Sequence, residues 1–107
     1  MALTVITTTA AYAGEDVSVG TGGAEGGFRA DGDDFWLKDI TLDGEWVMLC
    51  YRVNGGRKYS LENHEGRGKT LVWDGFNFRE GSKITIDVVT EADAEAGNCK
   101  PWAVGYA

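Results

Sequence analysis

EWVMLCYRVNGGRKYSLE, residues 45–62, is the stretch that decides the fold of this chain. On each side of Asn54-Gly55-Gly56, side chains alternate with a period of two, which is the pattern of β-strands rather than of a helix. Asn-Gly readily supplies the two positive-φ positions of a tight hairpin turn, so the pattern predicts an antiparallel pair of strands at 45–53 and 57–62. Apolar residues on both faces of the first strand predict that it is central and covered on both sides near Cys50.

The rest of the chain repeats this combination of short strands and turns. Turn residues recur about every eight to twelve positions, which is typical of an antiparallel sandwich. Further strands are predicted at residues 27–30, 35–40, 69–73, 83–90 and 99–106, and one helical turn at 91–97. We therefore predict an all-β fold: one immunoglobulin-like antiparallel β-sandwich of seven or eight short strands. A chain of 107 residues has room for one domain, which we assign to residues 14–107.

Cys50 and Cys99 are the only cysteines. An even, small cysteine count in a short, acidic, β-rich chain is typical of a structural disulfide in an exported protein. We predict that the two cysteines are bonded, that the bridge fastens the final strand to the central one, and that the protein is extracellular.

Residues 1–13 allow two interpretations. They carry no charged side chain and end in Ala11-Tyr12-Ala13, with small residues at the positions that signal peptidase accepts. The segment therefore fits the remnant of a secretory signal. Its alternation of Leu3 and Val5 with threonines also fits a first β-strand. Both alternatives stay open here.

Two resemblances rest on the order of the turns. Residues 78–89 contain a Glu-Gly-Ser turn that leads into a strand, and Gly97-Asn98 precedes the last strand, which resembles the end of fibronectin-type and other immunoglobulin-like domains. Along residues 25–107, a Gly-Asp-x-Phe turn, an Asp-Gly turn, an Asn-Gly hairpin, a Glu-Gly-x-x-Ile turn and a late cysteine follow one another. That order resembles small secreted actinobacterial proteins of the Streptomyces type, which implies a secreted β-sandwich and no particular activity.

Charge and composition exclude several classes of partner. The formal net charge is −7, and the ten basic residues are dispersed among acidic ones. Nucleic-acid binding depends on Lys and Arg placed against phosphates, so no nucleic-acid partner is predicted. No apolar run reaches the length of a membrane-spanning helix, so no membrane partner is predicted. The sequence carries no signal for an oligomeric state.

The residues that support catalysis or metal binding are few. His64 is the only histidine, and no serine lies in a nucleophile motif. One histidine and two paired cysteines do not make a zinc site. Asp31, Asp33 and Asp34 cluster in one turn and are a calcium candidate, although aspartates also form turns by bonding their own backbone. We predict no enzyme activity and no cofactor.

Aromatic residues are the strongest indication of function. Four tryptophans are many for so small a core, and Trp36, Trp46 and Trp73 are candidate ligand-binding residues, although Trp also fills immunoglobulin-like cores. We predict an exported, non-enzymatic module that binds an extracellular protein or polysaccharide. A carbohydrate binder should display two coplanar exposed aromatic rings. The alternative is a small disulfide-bonded inhibitor of an extracellular hydrolase, or a toxin-type effector, that presents loop 63–68 with His64 and Arg67.

Overall fold

The computed structural model describes residues 14–107, which form two four-stranded antiparallel sheets. The first sheet has the order β1-β2-β3-β6 and the second β5-β4-β7-β8. The elements are β1 (Val17–Gly20), β2 (Ala24–Arg29), β3 (Asp34–Asp39), β4 (Val47–Val53), β5 (Tyr59–Asn63), β6 (Thr70–Trp73), β7 (Lys83–Thr90), α1 (Glu91–Glu95) and β8 (Ala103–Tyr106). The predicted all-β sandwich is confirmed. Both interpretations of residues 1–13 lie outside the described residues.

Some connections join neighbouring strands within one sheet, and others cross from one sheet to the other. β2 and β3 are neighbours in the first sheet, whereas β4 with β5 and β7 with β8 are neighbours in the second. The connections from β3 to β4, β5 to β6 and β6 to β7 cross from one sheet to the other. Immunoglobulin-like sandwiches also have a chain that crosses repeatedly between two antiparallel sheets. Backbone bonds of 2.9 Å in both directions between Glu15 and Tyr106 also join the start of the described chain to β8.

The core lies between the sheets and is built by the period-two alternation that the sequence shows. Fully buried residues from both sheets meet there, and the largest are Phe28, Phe35, Leu37, Leu49, Ile84 and Ile86. Strand β4 is buried on both faces, as predicted: Leu49 faces the other sheet, Cys50 faces outward, and both are 0% exposed. Asn54 and Gly55 have φ angles of 51° and 69°, which confirms a hairpin turn with two positive-φ positions between β4 and β5.

The structure contains one strand that the sequence did not predict, and two strands begin at residues other than the predicted ones. β1 was not predicted, because its four residues are followed at once by a glycine-rich stretch that weakens the strand signal. β2 begins at Ala24 rather than residue 27. The glycines inside β2 are required by close packing, since a Cβ on Gly27 would lie 2.5 Å from Nε1 of Trp36. β8 begins at Ala103 rather than residue 99, because Pro101 has no N–H to donate to a ladder.

The disulfide between Cys50 and Cys99 is confirmed, with a Cα–Cα distance of 6.2 Å. It differs from the prediction in what it joins, because Cys99 lies in the loop before β8 and not in the strand. The bridge is on the outer face of the second sheet, where it packs with Val89, Met48 and Ala94. It therefore holds the β7–β8 connection over β4 and buries the outer face of that strand.

Removing the disulfide should destabilise the domain strongly. The bridge spans a sequence separation of 49 residues, and the chain-entropy model gives about 4 kcal/mol for a loop of that length. We expect the double variant Cys50→Ser, Cys99→Ser to unfold at markedly lower denaturant concentration than the oxidised protein. Thiol titration of the unfolded, non-reduced protein should find no free thiol. Two free thiols, or an unchanged denaturation midpoint in the variant, would contradict the prediction.

Candidate functional site

Three connections leave the sandwich at the same end as the short turn between β1 and β2. Val47, at the start of β4, pairs with Asn63 at the end of β5 and with Thr90 at the end of β7. The end of β3 reaches the same level, since the N–H of Asp39 donates to the carbonyl of Lys69 at 3.2 Å. Segments 40–46, 62–69 and 91–98 therefore lie together, and we call them the loop pole. In sandwich domains such loop ends, held by a rigid scaffold, commonly carry binding residues.

Asn63 holds the second segment of the loop pole from inside. Its side chain is fully buried. The amide Nδ2 donates to the carbonyl oxygens of Leu37 and Lys69, both at 2.9 Å, and Oδ1 accepts from the N–H of Glu65 at 2.9 Å. These bonds connect β5 to β3 across the sandwich and fix both ends of the loop. A buried amide with all these partners rigidifies the segment it holds.

A second buried polar group holds the first segment. Asp39 is 1% exposed, and its Oδ1 accepts from the N–H of Thr41 at 2.8 Å. The Thr41 hydroxyl lies 2.6 Å from the same oxygen and 2.9 Å from the carbonyl oxygen of Glu45, and it donates its single proton to one of them. Gly44, with a φ of 78°, completes the turn in a conformation that favours glycine.

This turn presents Leu42 to solvent. Leu42 is 82% exposed, more than any other large hydrophobic residue that the structure describes. It borders a shallow groove of about 420 Å³ that is also lined by Thr21, Gly23, Thr41 and Thr90. The leucine lies on a turn that buried hydrogen bonds hold, so its exposure is a property of an ordered segment.

The loop pole also carries an aromatic pair, formed by Trp46 and His64. The rings of Trp46 and His64 stack with centroids 5.0 Å apart and an interplanar angle of 29°. Nε2 of His64 is 2.8 Å from Oε1 of Glu62, and the two side chains are 58% and 44% exposed. The backbone N–H of Trp46 lies 3.5 Å from Oε1 of Glu91, which places the start of α1 against this pair.

The structure brings three of the predicted binding residues together and separates two others. Trp46, His64 and Arg67 all belong to the loop pole. Trp36 lies on the outer face of the first sheet, with the Arg29 guanidinium 5.6 Å from its ring centroid. Trp73 packs against the buried core cluster. For Trp73, the core-filling alternative is therefore the one that the contacts support.

Of the four tryptophans, all within residues 14–107, Trp102 is exposed and the other three are partly buried. Trp102 is 65% exposed beside the edge strand β8, away from the loop pole. Among the described aromatic pairs, the one ring that stacks on a tryptophan is that of His64. Within residues 14–107, the tryptophan rings therefore form no mutually stacked pair.

Leu42 is the residue that the sequence interpretation missed. It lies between the end of a predicted strand and the Asp43-Gly44 turn, outside every predicted strand. A large apolar residue in such a place has no predicted core position, and this was the available signal. Its exposure depends on the turn geometry, which the sequence does not specify.

The aspartate turn that was a calcium candidate is bonded to a distant segment of the chain through Asp33. Oδ2 of Asp33 accepts from the N–H of Phe78 at 2.9 Å, and Asp33 has a φ of 55°. Within residues 14–107, the one group of potential metal ligands that converges is Cys50, Asp87 and Cys99, and both cysteines are in the disulfide. The ligand atoms of Asp31, Asp33 and Asp34 do not come together in this way.

The opposite end of the sandwich is built from aromatic rings. Tyr51 stacks on Phe35 at 4.3 Å and on Tyr59 at 5.5 Å. Burial, and next the Tyr59 hydroxyl, raise the pKa of Tyr51 above 10.0. Tyr51 therefore stays protonated at neutral pH and acts as a packing residue.

No protein-family model matches this chain, and neither a curated protein nor a solved structure matches it. In residues 14–107 no helix combines the length and apolar character that crossing a membrane would need.

Replacing Asn63 should destabilise the protein through the loop pole. Asn63→Ala removes three hydrogen bonds, one of them to the buried carbonyl oxygen of Leu37, and we expect this loss to lower the free energy of unfolding by about 3 kcal/mol. Chemical denaturation measures the loss. Asn77→Ala is the matched control, because Asn77 is exposed. Equal midpoints for the two variants would contradict the role given to Asn63.

Proposed function

We propose that this protein is an exported, non-enzymatic binding module that engages an extracellular protein through the loop pole. The observation that carries the proposal is Leu42, 82% exposed on a turn fixed by buried hydrogen bonds. Burying a leucine side chain contributes about 1.5–3 kcal/mol, so a partner with a complementary pocket gains binding energy there. The turn is already ordered, so little conformational entropy is lost on binding.

Other residues of the loop pole fit such a site. Trp46 and His64 supply a stacked pair with polar edges, and Arg67 is exposed on the adjacent loop. Protein interfaces concentrate their binding energy in a few anchors, among which Trp and Arg are enriched, surrounded by polar residues. A protein ligand is favoured over a polysaccharide because, in the described chain, the exposed Trp102 and the partly buried Trp36 and Trp46 lie on separate surfaces.

The proposal that the protein acts outside the cell rests on three features. Disulfides persist in oxidising compartments and are rare in the cytosol. Cys50 and Cys99 form such a bond, and each is at most 3% exposed. The order of turns resembles small secreted actinobacterial proteins, and residues 1–13 include a cleavage-like Ala11-Tyr12-Ala13.

Replacing Leu42 by aspartate should abolish partner binding while preserving the fold. Because Leu42 is exposed, Leu42→Asp should leave the denaturation midpoint nearly unchanged. We expect the immobilised wild-type chain to retain a protein from the extracellular medium of its source, and the variant to lose it. Val72→Asp is the control, since Val72 is 50% exposed on the first sheet, outside the loop pole. Retention by both variants would contradict the proposed site.

A second function is favoured by one observation. The loop at 63–68 is exposed and is held at both ends by the Asn63 amide, as the binding loop of a hydrolase inhibitor must be held to resist cleavage. We expect such an inhibitor to block a secreted protease or glycosidase, with the inhibition constant raised at least about tenfold by Arg67→Ala. Residual-activity assays on a panel of these enzymes test this, with Arg79→Ala as the control because Arg79 is exposed elsewhere. Equal loss with both variants, or no inhibition, would exclude it.

A further inference from the structure

The net negative charge of the chain is concentrated at the loop pole. Its three segments carry seven carboxylates against two cationic side chains, Arg67 and Lys69. The carboxylates are Asp43, Glu45, Glu62, Glu65, Glu91, Asp93 and Glu95. The remainder of the chain has ten carboxylates and eight cationic side chains, which is nearly balanced. Five of the seven net negative charges therefore belong to the end of the sandwich that also presents Leu42.

These carboxylates are not neutralised by the protein itself. Within residues 14–107 the one ion pair joins His64 to Glu62, and no Lys or Arg approaches a carboxylate within 4.0 Å. Asp43, Glu91 and Asp93 accept hydrogen bonds from backbone N–H groups or from the Asn98 amide. Such contacts leave the negative charge in place, and two of the loop-pole carboxylates, Asp43 and Glu45, line the groove that Leu42 borders, so the loop pole combines uncompensated negative charge with an exposed apolar residue.

We propose that the partner of the loop pole presents a positively charged surface with an apolar pocket that receives Leu42. This inference rests on the proposed function and specifies the chemistry of the partner. Like-charged surfaces repel, and opposite charges around an apolar contact raise the association rate and exclude wrong partners. An acidic or neutral partner would leave the carboxylates unpaired at the interface, whereas Lys and Arg side chains would pair with them.

Selection from a random-peptide display library tests the inference without knowledge of the natural partner. The folded chain is the target, and clones that also bind Leu42→Asp are discarded, which leaves peptides that depend on Leu42. We expect these peptides to combine Lys or Arg with at least one aliphatic or aromatic residue. Their association rate should fall by about tenfold between about 0.02 M and about 0.3 M salt, because the Debye length shortens.

A matched pair of charge variants distinguishes the effect of charge at the loop pole on the association rate from the effect of the net charge of the chain. The first variant, Glu65→Gln, Asp93→Asn, Glu95→Gln, removes three carboxylates from the loop pole. The second variant removes three exposed carboxylates elsewhere, by Asp31→Asn, Asp74→Asn and Glu80→Gln. Both change the net charge equally. We expect the first to slow association of the selected peptides by about tenfold and the second to change it less than about twofold.

The outcomes distinguish the two proposals. If no selected peptide depends on Leu42, the proposed binding site itself is wrong. If Leu42-dependent peptides are neutral or acidic, or if the two charge variants slow association equally, the binding site stands and the inference of a basic partner is overturned. A basic, Leu42-dependent set that responds to the first variant alone supports the inference.

Discussion

Strand β4 has to be covered on both faces, and the rest of the architecture follows from that requirement. Its inner face, with Leu49, packs against the first sheet, as in any sandwich. Its outer face carries Cys50, which would be exposed if β7 and β8 were joined by a short hairpin turn. Instead the connection is long, folds back over the sheet and is held there by Cys99. The same connection places α1 at the loop pole, so the cover of β4 also builds part of the candidate site.

Buried polar groups give the other two loops their order. Asn63 and Asp39 are each at most 1% exposed, and each bonds to the backbone of a loop that starts beside it. A buried polar group without partners costs free energy, so these loops cannot move away without leaving Asn63 and Asp39 unsatisfied. Stability of the sandwich and order of the loop pole therefore depend on the same contacts, and an ordered surface of this kind loses little conformational entropy when a partner binds.

The number of tryptophans suggested a binding role for several of them, and the structure gives the individual tryptophans different surroundings. Trp73 completes the core, whereas Trp36 lies beside Gly27 on a sheet face and Trp46 stacks on His64. The anchor we infer is instead an aliphatic residue, Leu42. Its significance comes from its surroundings, because exposure, an ordered turn and uncompensated carboxylates coincide at one end of the molecule.

The sequence by itself determined the strands of the β4–β5 hairpin, the Asn54-Gly55 turn, the two-sided burial near Cys50, the cysteine pairing and the sandwich class. These follow from local patterns of period two and from turn chemistry, which neighbouring residues encode. Only the tertiary structure decided that Cys99 precedes β8, that β1 is a strand, and that Trp46, His64 and Arg67 share a pole with Leu42. Those features depend on contacts between residues far apart in the chain, such as Asn63 with Leu37, and no local pattern specifies them.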